Sequence, residues 1–274
     1  MPLANIGDAS LHYEIVGRDE GTPVLLVAGL GGVAGYWQPN LEAFAARHRV
    51  LLHDHRGTGR STHSEMPYSV ELMATDLLRL MDALDVERAH LVGHSTGGAI
   101  GQVLAATQPE RVASLVLYAS WARLDAQMAR CLALRRTLLR SAGIAEYHRA
   151  TPVFLYPPDH VCAHHDLLER DIAAATAGSP SASILESRVD GIMAFDGLPY
   201  LPRIQCPTLV LVADDDILTP PDSSRLLAER IAGARLVRTP HGAHALSRVE
   251  PAFFNDTVLA FLAQHSTETT EATP

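Results

Sequence analysis

The chain has 274 residues, 47% of them hydrophobic and 19% charged, which suits a globular protein of one large α/β domain or two smaller ones. Its formal net charge of −9 argues against a nucleic-acid or anionic-membrane partner, because both need a basic face. Three scattered cysteines, an N-terminus without an apolar signal-peptide core and the lack of any bilayer-length apolar run predict a soluble, cytoplasmic protein.

Short apolar segments recur along the chain and indicate the strands of a sheet. Leu11, Tyr13 and Ile15 alternate with polar neighbours, which predicts an opening antiparallel strand. The later segments are nearly continuous apolar runs, as expected of strands that are buried on both faces of a parallel sheet. These runs lie at residues 24–28, 50–52, 89–92, 112–118, 208–212 and 234–237.

Helical patterns separate most of these strands. Ser69 is a suitable N-cap for an amphipathic helix that reaches Leu84, and a second helix is predicted from residue 96 to 108, before Pro109. A third is expected after Pro220, since the next residue is a second proline and proline favours the first turn of a helix. Strands that alternate with helices predict a doubly wound α/β sheet.

The alternation stops between Trp121 and Ile204. This stretch contains no clear strand but has helical patterns at residues 127–140 and 165–177. We therefore predict a helical insertion at residues 121–204, within a core of residues 1–120 and 205–265. The polar residues 266–274 are predicted to be a disordered tail.

A possible nucleophile lies where the strand at residues 89–92 meets the next helix. The sequence Gly93-His94-Ser95-Thr96-Gly97 has the pattern Gly-x-Ser-x-Gly, in which the serine occupies a strained turn with its hydroxyl clear of the sheet. The pattern alone is weak evidence, because a serine before a helix is also a common N-cap. A serine nucleophile further needs a base and an acid that orients the base.

Candidates for both follow later strands, in the order Ser, acid, His. The three acids Asp214, Asp215 and Asp216 come after the strand at residues 208–212. Two histidines, His241 and His244, come after the last strand. An acid and a base at the carboxyl ends of strands can meet a serine there, so the order favours a nucleophile.

With these motifs, the chain resembles the α/β-hydrolase superfamily over nearly its whole length. The family's Gly-x-x-Asp-x-x-x-Pro pattern is similar to residues 213–220, with Ala213 in place of the first glycine, and implies Asp216 as the acid. The family's Gly-His before an acidic-Pro pair is similar to residues 243–251 and implies His244 as the base, leaving His241 as a loop residue. An Ala28-Gly29-Leu30-Gly31-Gly32 loop stands where the family usually has His-Gly, and it implies backbone N–H groups of Leu30 and Thr96 as oxyanion donors. The stretch from Asp54 to Ser61 resembles a loop that is usually structural in the family.

A narrower resemblance concerns the insertion and the glycine loop. The stretches around Tyr36-Trp37, Arg130 to Leu139 and Phe154 to Asp159 look like those of the aminoacrylate hydrolases of pyrimidine degradation. The 3-oxoadipate enol-lactonases share the core but are less similar in these stretches. Gly29, Trp37, His94 and Trp121 are candidate pocket residues, although both tryptophans also suit hydrophobic packing.

Two other patterns compete with these interpretations. The segment from Gly29 to Ala34 fits Gly-x-Gly-x-x-Ala, an imitation of the dinucleotide fingerprint, but the triad order would then be a coincidence. His160, Cys162, His164 and His165 suggest a metal, but their spacing fits no structural zinc pattern. We therefore expect no cofactor and no metal.

The sequence thus predicts a serine hydrolase of a small-molecule acyl substrate that works through an acyl-enzyme. Cleavage of a carboxylic ester or lactone is favoured, because an alcohol leaves more easily than an amine. C–N hydrolysis of an aminoacrylate- or carbamate-like compound is the alternative. A hydrolase-fold protein that senses a small molecule without turnover is an alternative of another class. A homodimer is compatible with the chain, although nothing in it specifies one.

Overall fold

The computed structural model describes residues 2–265, and an eight-stranded sheet forms its centre. The strands lie side by side in the order β1-β2-β4-β3-β5-β6-β7-β8; β1 and β2 are antiparallel to their neighbours and all other pairs are parallel. This confirms the predicted mostly parallel sheet. The strands are β1 (Leu3–Asn5), β2 (Ser10–Gly17), β3 (Val24–Val27), β4 (Arg49–His53), β5 (Ala89–His94), β6 (Val112–Tyr118), β7 (Thr208–Ala213) and β8 (Arg235–Thr239).

Most of the apolar runs are strands that are buried on both faces of the sheet. The exception is β8 at the edge, where Arg235 and Arg238 are exposed and the other residues are half-buried, so the expectation of full burial was wrong there. Every residue of β3, β5, β6 and β7 is buried, as expected of parallel strands between two helical layers. Strand β1 was not predicted, since it has only three residues and buries only Ala4.

Residues 2–265 contain ten α-helices. Helix α2 begins as predicted, with the Ser69 hydroxyl accepting a hydrogen bond from the Leu72 N–H at 3.0 Å. Helices α1, α5, α7, α9 and α10 were not individually predicted. The helices are α1 (Gln38–Ala45), α2 (Val70–Ala83), α3 (Thr96–Thr107), α4 (Ala126–Leu155), α5 (Pro158–Ala163), α6 (His165–Ala177), α7 (Ala182–Ala194), α8 (Pro221–Arg230), α9 (Leu246–Val249) and α10 (Pro251–Ala263).

The core is divided by the sheet into two layers. Helices α2, α3 and α8 bury residues such as Leu77, Ile100 and Leu227 against one face. Helices α1 and α10 bury Phe44 and Phe254 against the other face. Hydrophobic burial on both faces therefore holds the strands in place. The candidate site lies at the edge of the sheet formed by the carboxyl ends of its parallel strands.

Helices α4 to α7 connect β6 to β7 and form the insertion. Its two ends meet, because the Gly197 N–H donates to the Ala122 carbonyl at 2.6 Å and Arg123 forms a β-bridge with Asp196. Helix α4 is interrupted at Gly143, where φ is +86°, and both of its halves contribute side chains to the candidate site described below. The division of the chain into a core and a cap stays a prediction.

Within residues 2–265, none of the helices combines the length and apolarity that crossing a bilayer requires. The predicted disordered tail at residues 266–274 lies outside the described residues.

Candidate active site

Ser95 lies in the turn between β5 and α3. Its backbone has φ +51° and ψ −113°, a strained conformation for a residue with a side chain. The Ser95 N–H donates to the Tyr118 carbonyl at 2.8 Å and holds this turn against the end of β6. The Ser95 side chain makes no capping hydrogen bond to α3, which weighs against the N-cap interpretation.

The glycines on either side permit the turn because the backbone approaches itself closely there. A Cβ on Gly97 would overlap the Val27 carbonyl on β3, and one on Gly93 would overlap the backbone of Gly97. Both positions therefore require glycine.

Ser95 forms part of a cavity of about 550 Å³ between the carboxyl edge of the sheet and the insertion. Only 6% of the residue is exposed, whereas the motif suggested a hydroxyl that stands clear. The difference arises because the insertion covers the site, and its residues Met128, Leu132 and Tyr147 line the same cavity as Ser95. A larger surface hollow near Asp8, of about 750 Å³, contains none of the triad candidates.

Asp216 is buried in the turn after β7 and accepts four hydrogen bonds. The N–H groups of Leu218 and Thr219 donate to Oδ1, both at 2.9 Å. The Thr219 hydroxyl donates to Oδ2 at 2.8 Å, and His244 Nδ1 lies 2.9 Å from the same oxygen. These contacts fix the carboxylate and leave it facing the His244 ring.

His244 is buried and also lines the cavity. Because a carboxylate only accepts hydrogen bonds, His244 Nδ1 carries the proton toward Asp216, and Nε2 is left as the basic nitrogen. The Tyr118 hydroxyl and His94 Nε2 each donate to the His244 carbonyl at 2.9 Å. Burial holds the pKa of His94 well below its usual range, so this ring stays a neutral donor.

The competing acids and histidine make other contacts. Asp214 forms a surface ion pair with Arg238 at 2.7 Å. Asp215 accepts from the Ala243 N–H at 2.7 Å and so supports the loop that carries His244. His241 lies 3.2 Å from Asp215 and is 40% exposed. Sequence reasoning did not find this supporting role of Asp215.

The two predicted oxyanion donors also border the cavity. Leu30 and Thr96 both line it together with Ser95. In the described part of the chain, neither backbone N–H donates to a protein acceptor. The glycine loop is held by the stretch after β4, since the Ala34 N–H donates to Asp54 Oδ1 at 2.8 Å and the Thr58 hydroxyl to the Gly32 carbonyl at 2.9 Å.

Arg188 on α7 is a second contact of this loop, and sequence reasoning missed it. Its guanidinium is fully buried and donates to the carbonyls of Leu30, at 2.9 Å, and Arg56, at 2.8 Å. No motif surrounds Arg188, so only the packing of the insertion on the core shows this contact.

The four candidate pocket residues divide into two pairs. Gly29 and His94 line the cavity, but Trp37 and Trp121 do not, which corrects their expected pocket role. Both tryptophans are fully buried: Trp37 packs on Phe254, and Trp121 packs edge-on against Phe195. Their large apolar rings lie in the two core layers instead.

The competing interpretations gain no geometric support. The glycine loop leads into a short 3-10 helix at Ala34–Trp37 and lies beside Ser95, rather than at the start of a long helix. Across residues 2–265, no three His, Cys, Asp or Glu side chains are grouped closely enough to hold a metal ion.

The chain is similar in sequence and in fold to known proteins. Residues 22–142 match the family model described as alpha/beta hydrolase fold. A "Putative carbamate hydrolase RutD" of Azorhizobium caulinodans is 46% identical over 264 residues, which covers 96% of this chain and 99% of the relative. A protein of the same name from Variovorax paradoxus is 42% identical, covering 93% and 97%. The enol-lactonase of Burkholderia xenovorans LB400 superposes with a TM-score of 0.88 at 30% identity and covers 96% of this chain and 100% of its own.

Proposed function

Since this chain belongs to the α/β-hydrolase family, we propose that it is a serine hydrolase that cleaves the C–N bond of a carbamate-type compound. Two relatives named as carbamate hydrolases match almost its whole length, which supports the C–N alternative over the ester or lactone that leaving-group chemistry favoured. The observation that carries the serine mechanism is the contact of 2.9 Å between His244 Nδ1 and Asp216 Oδ2, beside a cavity that Ser95 and His244 both line.

In the proposed reaction, Ser95 Oγ attacks the carbonyl carbon while His244 Nε2 takes the hydroxyl proton. Asp216 accepts from Nδ1 and stabilises the imidazolium that forms. The N–H groups of Leu30 and Thr96 stabilise the oxyanion; removing one such donor typically costs about 3 kcal/mol.

The intermediate then collapses with loss of the amine. The C–N bond breaks as His244 returns the proton to the departing nitrogen, which leaves the acyl group on Ser95. Water attacks this acyl group, and its proton passes through His244 to Ser95 as the C–O bond breaks. No step requires a metal or an organic cofactor.

Cleavage of an ester or lactone is the second candidate. The similarity to an enol-lactonase favours it, since that enzyme has the same fold at a TM-score of 0.88. The triad candidates suit both reactions, because each begins with attack of a serine on a carbonyl carbon.

Labelling with a serine-directed organophosphonate tests the nucleophile. We expect a single adduct on Ser95 by mass spectrometry, and loss of both label and turnover in Ser95→Ala. Ser183→Ala is the matched control, since Ser183 lies on the surface and bonds to Glu65. An adduct elsewhere, or turnover that survives Ser95→Ala, would refute the mechanism.

Substrate comparison tests the bond that is cleaved. We expect the highest kcat/KM for amine release from a carbamate, when compared with an acetate ester and an enol-lactone. Preference for the enol-lactone would establish the second candidate. Tight binding of all three with negligible turnover would identify a small-molecule sensor instead.

A further inference from the structure

The candidate cavity contains one arginine with unusual surroundings. Arg135 lies on the first half of α4, is only 6% exposed and lines the cavity that also contains Ser95. Its guanidinium lies over the Tyr147 ring at 4.7 Å and near the Phe154 ring at 5.6 Å, both on the second half of α4. The break at Gly143 thus brings the two halves of one helix around a buried cation.

The positive charge of Arg135 has no carboxylate partner among the described residues. Within residues 2–265, the guanidinium makes no ion pair with a carboxylate, and its buried Nε has no hydrogen-bond partner. Arg135 Nη2 donates to the neutral Thr151 hydroxyl at 3.2 Å. Arginine keeps its charge at all physiological pH values, and buried arginines are normally paired with an anion.

The other charged groups around the cavity do not fill this role. Asp171 also lines it, but its carboxylate pairs with Arg248 at 3.0 Å. Asp216 is held by four hydrogen bonds behind His244. Arg248 lines the cavity too but has Asp171 as its partner, so among the described lining residues Arg135 is the arginine without a carboxylate partner.

The size of the cavity exceeds what the reacting group alone would need. A carbamate ion of four heavy atoms occupies roughly four times the ~30 Å³ of a liquid water molecule. The cavity measures about 550 Å³, so a substrate can extend from Ser95 toward the insertion. A planar carboxylate can accept two parallel N–H hydrogen bonds from the guanidinium fork.

We propose that the substrate carries a carboxylate group separate from the bond that is cleaved, and that Arg135 binds this carboxylate. This inference rests on the proposed function, because it specifies the substrate of the same site. Cation–π contacts with Tyr147 and Phe154 orient the guanidinium, while its N–H groups donate to the substrate. The substrate class is thus an anionic acyl compound rather than a neutral one.

Two esters whose acyl groups have the same number of non-hydrogen atoms test the proposal. The mono-para-nitrophenyl ester of succinic acid ends in a carboxylate, and para-nitrophenyl levulinate ends in a neutral methyl ketone. We expect kcat/KM to favour the succinyl ester in the wild-type protein. Arg135→Met should lower this preference roughly 10- to 100-fold, as expected for a lost hydrogen bond to a charged group, and Arg135→Lys should retain part of it. Arg136→Met is the matched control and should leave the ratio unchanged, since Arg136 pairs with Asp190 at the surface.

Calorimetric binding of succinate to the Ser95→Ala protein separates this proposal from the serine mechanism. We expect binding that weakens roughly 10- to 100-fold when Arg135→Met is added, whether or not Ser95 is the nucleophile. A wild-type protein that shows no preference for the anionic ester would overturn the proposal, even if Ser95 is labelled. Equal losses on both esters in Arg135→Lys would also overturn it, since they would show that Arg135 only organises α4.

Discussion

Arg188 Nη2 donates to the carbonyl oxygen of Leu30 at 2.9 Å, and this hydrogen bond joins the insertion to the loop that carries a proposed oxyanion donor. The N–H and the carbonyl of Leu30 share one Cα, so a fixed carbonyl restricts the backbone from which the N–H projects. Arg188 thereby acts on the position of this loop without lining the cavity itself.

Replacing Arg188 should therefore impair turnover more than substrate binding. We expect Arg188→Met to lower kcat roughly tenfold or more, because a displaced oxyanion donor loses stabilisation in the transition state. It should also lower the free energy of unfolding by about 1–3 kcal/mol, because the carbonyls of Leu30 and Arg56 lose buried donors. Steady-state kinetics and urea denaturation measure the two effects.

Arg140→Met is the control for this variant. Arg140 on α4 forms an ion pair with Glu186, which lies on α7 as Arg188 does. The Arg140 side chain is exposed at the surface. Its loss should change neither kcat nor stability by much, since exposed ion pairs contribute about 0–1 kcal/mol. Equal effects of the two variants would contradict a specific role of the Leu30 contact.

The acid of the triad can be assigned by comparing two neighbouring aspartates. Asp216→Asn should lower kcat by a factor on the order of 10⁴, because His244 would lose the carboxylate that holds its proton on Nδ1. Asp214→Asn should leave kcat almost unchanged, since Asp214 pairs with Arg238 at the surface. If the larger loss came from Asp214→Asn, the assignment of the acid would have to change.

The turn at Ser95 depends on the close approach of Gly97 to β3. Gly97→Ala should lower the free energy of unfolding by about 1–3 kcal/mol, because its Cβ would overlap the Val27 carbonyl. Gly35→Ala is a suitable control, since an added Cβ there meets no atom within 4 Å. Thermal denaturation of both variants checks the difference; a Gly97→Ala protein as stable as wild type would show that the turn can relax.

Buried histidines make stability depend on pH. Burial lowers the pKa of His53 and of His90 to about 4, whereas the same groups titrate near 6.5 when the chain is unfolded. Between these values the unfolded chain binds protons that the folded chain does not, so the free energy of unfolding falls as the pH falls from about 6.5 to 4. Each histidine contributes up to about 3 kcal/mol to this loss.

Urea denaturation at a series of pH values measures the effect. His53→Phe should partly flatten the dependence between pH ~6.5 and ~4, because it removes one of the contributing titrations. Above pH ~7 the two proteins should show parallel, nearly flat profiles. An unchanged slope in the variant would contradict this account, because it would mean that His53 binds protons equally in the folded and unfolded chains.

Local sequence patterns predicted most of the strands and several of the helices. The strands were predictable because burial on both faces of a sheet requires continuous apolar runs. Strand β6 has the predicted bounds, residues 112–118, and Ser69 caps α2 as its side chain allows. The short edge strand β1 escaped prediction because three residues offer too little periodicity, and α7 because tertiary packing, more than its own pattern, holds it.

For the candidate site, motif order along the chain pointed to Ser95 and to the two loops that supply an acid and a base, since the carboxyl ends of parallel strands meet at one edge of the sheet. Within those loops, the resemblance to the α/β-hydrolases implied Asp216 and His244. The surroundings of each side chain were decided only by tertiary structure. Trp37 and Trp121 pack in the core rather than the cavity, and Arg188 reaches the Leu30 carbonyl. Arg135 lines the same cavity as Ser95 and makes no ion pair within residues 2–265. Each of these depends on contacts between segments far apart in sequence, and no local pattern specifies which side chains such segments bring together.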